Sequence, residues 1–502
     1  MLELLTNAQM AEADRLTIAG GIASIDLMEN AGRAVANAAA RFSRGRRILV
    51  VAGTGNNGGD GFVAGRILAG RGFDVRLIVC GDRAKIKGDA ALALGRWKGA
   101  PETASHAAIA DCDLIVDALF GAGLDRAIEG APRALVDAIN TSGIPALAVD
   151  LPSGVNGTTG EIMGVAVKAS RTVTFFRRKL GHVLLPGRLC CGTTETADIG
   201  IPAGVLERIR AKAFANEPRL WSGSFPRPRP DAHKYARGHA VILSGGVATT
   251  GAARLAARGA LRAGAGLVTI ASPREALPVN AAASLAVMVR PVDGAAEFAD
   301  FLSDKRRNAV VIGPGAGVGR ETRAQTLAAL ASGAAVVLDA DALTSFAGDL
   351  GSLAQATARC RKCVLTPHAG EFSRLFSALK GDAAVHLKVE KARAAALKMG
   401  AIVLLKGPDT VVAARDGRAS VAVNAPASLA TAGSGDVLAG IIAGLLAQGM
   451  PPFEAASAAV WLHGEAANAF GPGLISEDLP EILPAVYRRL FELIDARKEE
   501  RF

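Results

Sequence analysis

Two stretches of this chain gather glycine and polar residues at spacings that suit chemistry. In the first half, Gly53-Thr-Gly-Asn-Asn-Gly-Gly-Asp-Gly61 follows the apolar run RILVVA and precedes FVAGRILAGRG. Gly53 to Gly58 match GxGxxG, with Asp82 further on, the pattern of a loop whose backbone N–H groups hold a pyrophosphate at a helix N-terminus. Asn56, Asn57 and Asp60 are more polar groups than such a cradle needs, and later apolar runs end in others: Asp117 after DLIV, Asp150 after PALAV, and Ser153 in DLPSG. At the carboxyl ends of parallel strands, where open α/β sheets bind ligands, Asn57, Asp117 and Ser153 would offer oxygen ligands to a monovalent cation, and Asp150 would face a substrate. Any one such Asp taken alone is more simply a helix N-cap; their joint occurrence makes the case for a site.

The second stretch is Ala430-Thr-Ala-Gly-Ser-Gly-Asp-Val-Leu-Ala-Gly440, a Gly-rich turn opening an apolar helix. Free N–H groups from Gly433 through Asp436 would form an anion hole reinforced by the helix dipole. Asp436 beside a phosphoryl group held there would accept a hydroxyl proton; the plainer role is to complement the dipole. Glycine-rich segments at 245–266 and 312–319, TPHAGEF with His368 and Glu371, and LLKGPDTVV supply further strand ends.

The order GxGNNGGDG, VDALFGxGL, VDLPSG resembles the N-terminal domain of NAD(P)H-hydrate epimerases over residues 1 to 210. That resemblance implies that Asn56, Asn57, Gly58, Gly59, Asp60, Gly121, Ala122, Gly123, Leu124, Asp125, Arg126, Ala127 and Asp150 contact the hydrated nicotinamide nucleotide. Potassium would lie on Asn57, Asp117 and Ser153, and Asp150 would carry protons between the R and S hydrates. The second set of motifs, over residues 225 to 500, resembles the ADP- or ATP-dependent NAD(P)H-hydrate dehydratases of ribokinase-like fold. By that resemblance Lys406, Gly407, Pro408, Asp409, Thr410 and Gly435 bind the nucleotide with Mg2+. Ala252, Gly317, His368 and Asp436 line the hydrate site, and Asp436 is catalytic. One departure stands before the Gly-rich turn: Ala425, Pro426 and Ala427 replace the expected Gly-rich asparagine segment. Fused members of bacterial type use ADP, a preference that these residues do not themselves decide. The substrates implied are NADHX and NADPHX. The competing reading is a ribokinase-like vitamin-precursor kinase fused to a non-catalytic Rossmann-like binding module, against which Asn57, Asp117, Asp150 and Ser153 stand.

Around these residues, helical patterns at about 7–20 and 24–42 precede strand-like runs that alternate with helical stretches, the rhythm of a parallel sheet covered on both faces. Thr6 to Gln9 read as a capping box. The fold class expected is α/β throughout: a Rossmann-like domain over 1–210, a linker over 211–235 that takes in most of FPRPRPDAHKYARG, and a ribokinase-like domain over 236–502.

Composition narrows the classes. At 502 residues the chain exceeds one ordinary core. Aromatics are only 4%, so the cores rest on Ala, Val, Leu and Ile, and stacking platforms for nucleic acid are scarce. The net charge of +10 is dispersed in short clusters such as Arg177 to Lys179, a field that suits phosphorylated substrates better than a nucleic-acid groove. Every apolar run is interrupted short of a membrane span, and the N-terminus lacks the layout of a signal peptide. Six unevenly spaced cysteines, with a lone CxxC at Cys360 and Cys363, point to a reducing compartment, the cytoplasm. Alanine-rich helices leave room for an interface between copies, and a homo-oligomer is expected.

Overall fold

The computed structural model describes residues 2–103, 109–377 and 387–499. The chain divides into two compact units, Glu3–Ala213 and Phe214 onward. In the first, the strands are β1 (Glu3–Leu5), β2 (Arg47–Ala52), β3 (Asp74–Val79), β4 (Glu102–Thr103), β5 (Leu114–Ala118), β6 (Ala146–Val149), β7 (Arg171–Phe175), β8 (Arg178–Lys179) and β9 (Thr193–Ala197). Seven of them form one sheet in the order β4-β3-β2-β5-β6-β7-β9, with every pairing parallel. β1 pairs separately with β8.

A parallel sheet covered on both faces needs strands apolar on both, and β2 shows how the side chains are shared. Ile48, Val50 and Ala52 pack with the helices α1 (Asn7–Ala19), α2 (Ser24–Phe42) and α3 (Asn56–Gly70). Leu49 and Val51 point to the other face, where α5 (Gly130–Thr141) contributes Leu135, Val136 and Ile139. The short helices α4 (Gly88–Gly95) and α6 (Val205–Ile209) complete the unit. The capping box at the start of α1 is present, Thr6 with Gln9. Strand order reverses between β2 and β5, so a crevice opens at their carboxyl ends.

The second unit repeats the principle. After a short strand β10 (Ala213–Ala215) at the junction come β11 (His239–Leu243), β12 (Leu267–Ser272), β13 (Met288–Pro291), β14 (Ala309–Ile312), β15 (Ala335–Leu338), β16 (Cys363–Leu365), β17 (Ile402–Leu405), β18 (Val411–Ala413) and β19 (Ala419–Val421). Their order is β13-β12-β11-β14-β15-β16-β17-β18-β19, parallel as far as β17 and antiparallel beyond it. The run AIVLLKGPDTVVAARDG is therefore a hairpin that turns at 406–410. The helices are α7 (Thr250–Arg262), α8 (Leu277–Ala282), α9 (Gly294–Phe301), α10 (Arg320–Ala331), α11 (Asp341–Thr344), α12 (Leu350–Cys360), α13 (Ala369–Leu375), α14 (Lys388–Met399), α15 (Ser434–Ala447), α16 (Pro452–Phe470) and α17 (Asp478–Glu499). In α15 every residue from Val437 to Ala447 is buried, the property of a helix enclosed on all sides.

The segment 211–235, expected as a linker, is only partly one. Trp221 and Phe225 are buried in the second unit's core, their ring centroids 5.3 Å apart and Trp461 5.7 Å from Trp221. Two large apolar rings gain more from burial than an extended tether gains from solvent. From Arg227 to His233 the chain is exposed and has neither helix nor strand. No helix among the described residues is long and apolar enough to cross a membrane.

Candidate active sites

The crevice of the first unit is a cleft of about 610 Å³ whose lining includes Asn56, Asn57, Asp60, Gly121, Ala122, Gly123, Leu124, Asp125, Arg126 and Asp150. Gly58 and Gly59 are buried beneath it, and Ala127 lies on the surface outside it. Packing dictates the glycines of the loop after β2. A Cβ on Gly53 would stand 2.1 Å from the Leu119 carbonyl oxygen, and one on Gly58 would stand 2.0 Å from that of Gly53. Asp82 caps a short turn, accepting from the Ala84 N–H at 3.0 Å, and so is spent locally.

Asp150 sits just past β6 at φ 63°, a left-handed conformation that is strained for a non-glycine residue and found at functional sites. Its Oδ1 accepts from Lys179 Nζ at 2.6 Å and from Thr174 Oγ1 at 2.9 Å, and its Oδ2 from the Ala122 N–H at 3.3 Å. Burial alone would raise the carboxyl pKa, but the Lys179 ammonium outweighs burial and holds Asp150 below its usual value. His182 fixes the turn. The Lys179 N–H donates to its Nδ1 at 2.9 Å, so Nε2 carries the proton and donates to the Asp150 carbonyl at 2.8 Å. Burial and the Lys179 charge push His182 down to about 4, which keeps the ring neutral. Asp60 is held well above the carboxylate range by burial and by the Asp150 charge.

Asp117 and Ser153 meet directly beside this cleft. Ser153 Oγ donates to Asp117 Oδ1 at 2.6 Å, the Ser153 N–H to Oδ2 at 2.8 Å, and the Phe120 N–H to Ser153 Oγ at 2.8 Å. Burial pushes Asp117 up to about 6 against these hydrogen bonds, and no cationic side chain among the described residues pairs with it. Asn57 approaches the same loop at Gly121, with its Nδ2 buried and unpartnered.

In the second unit the strand ends converge likewise. Asp339, after β15, accepts at Oδ1 from Lys406 Nζ at 2.7 Å and from Thr366 Oγ1 at 2.8 Å. Lys406 Nζ lies 3.4 Å from where a Gly435 Cβ would stand, beside the first turn of α15. Gly433 caps that helix at φ 84°. The Ser434 N–H is taken by the Thr431 carbonyl at 3.4 Å, so the anion hole narrows to the N–H groups of Gly435 and Asp436, which have no acceptor inside the helix. Burial, then the Asp339 charge, push Asp436 up to about 6. Ala252 on α7 packs under the loop at Gly315, and the Gly317 N–H donates to Asp341 Oδ2 at 2.8 Å.

His368 is the N-cap of α13, its Nδ1 accepting from the Gly370 N–H at 2.9 Å while Glu371 Oε2 accepts from the His368 N–H at 2.8 Å. Its Nε2 lies 3.3 Å from Glu371 Oε1, so both ring nitrogens are engaged by the cap and the exposed face of the ring is what a ligand would meet. In the turn at 406–410, Thr410 Oγ1 accepts from the Gly407 N–H at 3.1 Å and donates to the Gly407 carbonyl at 2.6 Å, and Asp409 is ion-paired with Lys388. These two side chains shape the loop.

Sequence reasoning missed Lys179, Thr174 and His182 around Asp150, and Asp339 and Thr366 around Lys406. Asp339 ends an apolar run in VVLDADAL, the signal that marked Asp117 and Asp150. In the sequence Lys179 reads only as one of a short basic cluster.

Comparison with known proteins matches this layout. Residues 24–181 fit the model of the YjeF-related protein N-terminus, and residues 240–481 that of NAD(P)H-hydrate dehydratase. The bifunctional NAD(P)H-hydrate repair enzyme Nnr of Moorella thermoacetica is 38% identical over 529 residues, covering 98% of each chain. That of Salinibacter ruber is 36% identical, covering 97% of this chain and 96% of its own. Among solved structures, the ADP/ATP-dependent NAD(P)H-hydrate dehydratase of Bacillus subtilis, co-crystallised with ATP/Mg2+, is 26% identical, covering 55% of this chain and 98% of its own with a TM-score of 0.45. The chain belongs to the family of bifunctional NAD(P)H-hydrate repair enzymes, epimerase and dehydratase in one polypeptide.

Proposed function

We propose that the first unit interconverts the R and S hydrates of NADH and NADPH and that the second dehydrates the S form by phosphoryl transfer from ADP, with ATP as the alternative donor. The observation that carries the second half is Asp436, a carboxyl group at the mouth of an anion hole with Lys406 alongside. The Gly435 and Asp436 N–H groups and Lys406 hold the transferring phosphoryl group. Asp436 takes the proton of the ring hydroxyl as its oxygen attacks phosphorus and AMP departs. Phosphate then leaves with the C–O electron pair more readily than hydroxide would, and loss of a proton from the adjacent ring carbon restores the double bond, giving NAD(P)H and phosphate. Ala252, Gly317 and His368 border the hydrate. Lys406 to Thr410 form the nucleotide loop, with Asp409 and Thr410 shaping it. Among the described residues no group of three His, Cys, Asp or Glu side chains could hold a metal. When bound, Mg2+ would be held by the nucleotide's phosphate oxygens and would offset their charge.

In the first unit, Asp150 faces the hydrate across a cleft lined by Asn56, Asn57, Asp60 and Gly121 to Arg126. The carboxylate of Asp117, the hydroxyl of Ser153 and the amide of Asn57 fit a potassium ion. The buried charge of Asp117 lacks a cationic partner, and Asn57 turned over would present its carbonyl oxygen where Nδ2 is now orphaned. When bound, potassium would neutralise Asp117 and stiffen the loops that carry Asp150 and Gly121. Six free thiols agree with a cytoplasmic setting. The kinase reading is disfavoured by the first unit, because a kinase has no use for the strained Asp150 and its Lys179 partner.

Purified protein mixed with NADHX epimers and ADP or ATP should restore dihydronicotinamide absorbance. No recovery with either nucleotide overturns the dehydratase assignment.

A further inference from the structure

Inverting a hydroxyl-bearing ring carbon by loss and return of water requires two proton transfers. A proton joins the hydroxyl oxygen, and the C–O bond breaks with its electron pair on that oxygen. Water leaves, and a ring cation remains. Water then adds to the opposite face and gives up its surplus proton. One proton is donated and one accepted, and no oxidant or reductant is needed. Because the donor and the acceptor face opposite sides of the ring, a single side chain serves poorly for both.

Asp150 suits the accepting role, since Lys179 holds it as a carboxylate. Its counterpart must lie in the same cleft on a different element. Four other carboxyl groups line it: Asp89 on α4, Asp125 in the loop after β5, Asp60 at the start of α3 and Asp14 in the middle of α1. Of these, Asp60 and Asp14 are the electrostatic neighbours of Asp150. Neither side chain has a hydrogen-bond partner among the described residues, and both lie within electrostatic reach of Asp150 and Lys179. Their electrostatic settings differ. Burial and the Asp150 and Asp14 charges raise Asp60 well above the carboxylate range. Asp14 is half-buried, and burial brings it to about 6, with Lys179 pulling it down and Asp150 pushing it up. A group that both gives and regains a proton each turnover works best near the ambient pH.

We propose that Asp14 is the second proton-carrying group of the epimerase cleft, protonating the departing hydroxyl on one ring face while Asp150 accepts a proton from the water that returns on the other. The inference rests on the epimerase reading of the first unit. It gives α1, whose sequence reads only as a capped helix, a chemical role.

The test uses the full chain. Epimer interconversion is followed chromatographically without nucleotide, and dehydration of the S form is followed separately with ADP. In Asp14→Asn, kcat for epimerisation should fall at least about a hundredfold, the typical share of a general acid. KM should stay within about threefold, and dehydration should be unchanged. Asp14→Glu should regain about a tenth of the wild-type rate, and Asp14→Ser should regain activity with added formate, a response that a structural role would not give. Asp14→Ser also stands in if the asparagine variant does not fold. Wild-type kcat in either neutral variant, or a loss confined to KM, overturns the role of Asp14. A wild-type protein without epimerase activity overturns the underlying reading as well.

Discussion

Asp150 and Lys179 share a buried ion pair, and this changes what a substitution at Asp150 means. Removing one partner of such a pair leaves the other charge uncompensated, at a cost of about 3–5 kcal/mol. Asp150→Asn should therefore lower the melting temperature of the first unit as well as abolish epimerisation. The double substitution Asp150→Asn with Lys179→Met removes both charges. It should recover most of that stability and none of the activity, and a thermal unfolding series over the four proteins measures both. Asp436 allows a second statement at this scale. Its pKa is raised to about 6, so below that pH it is protonated and cannot accept the ring hydroxyl proton. For dehydration, kcat/KM, which reports the free enzyme, should rise about tenfold per pH unit up to about 6 and then level off. A profile flat from pH 5 to 8 would remove Asp436 as the base.

At the level of elements, the loop after β2 shows which glycines are obligatory. Gly53 has no space for a side chain, whereas a Cβ on Gly55 would meet nothing within 4 Å, at an ordinary φ of −97°. Gly53→Ala should destabilise the first unit by roughly 1–3 kcal/mol through forced backbone displacement, while Gly55→Ala should melt like the parent. Equal losses in both variants, measured by denaturant unfolding, would mean that the loop is not held by this packing. The strands of both units were legible because parallel strands buried on two faces read as unbroken apolar runs, and strand-terminal Asp117, Asp150 and Asp436's Gly-rich turn stood out beside them. Lys179 and His182 were not legible. They reach Asp150 through the backbone reversal between β7 and β8, at Phe176 with φ 61°, and nothing in the local pattern RRKLGH distinguishes an inward lysine from a surface one. The junction is obscure in the sequence for a related reason: Trp221 and Phe225 stand among prolines and charges, and their burial depends on Trp461, Tyr487 and Phe491, more than two hundred residues away.

For the whole molecule, two chemistries on one chain matter because the hydrate arrives as two epimers and the proposed dehydration accepts one of them. The groups assigned to each step come from separate units, so the steps should be separable by substitution without cutting the chain. With a mixture of R and S hydrates and ADP in excess, the wild-type protein should convert the whole pool, with a second phase paced by epimerisation. The double variant that removes Asp150 and Lys179 together, chosen because it retains its fold, should convert the S fraction at the wild-type rate and then slow to the uncatalysed rate of epimerisation. Asp436→Asn should show the inverse, restoring epimeric balance to a pure S sample while producing almost no NADH. Complete conversion of the R form at an undiminished rate by the Asp150 and Lys179 variant would place epimerisation outside the cleft beside β6 and leave the first unit without its assigned chemistry.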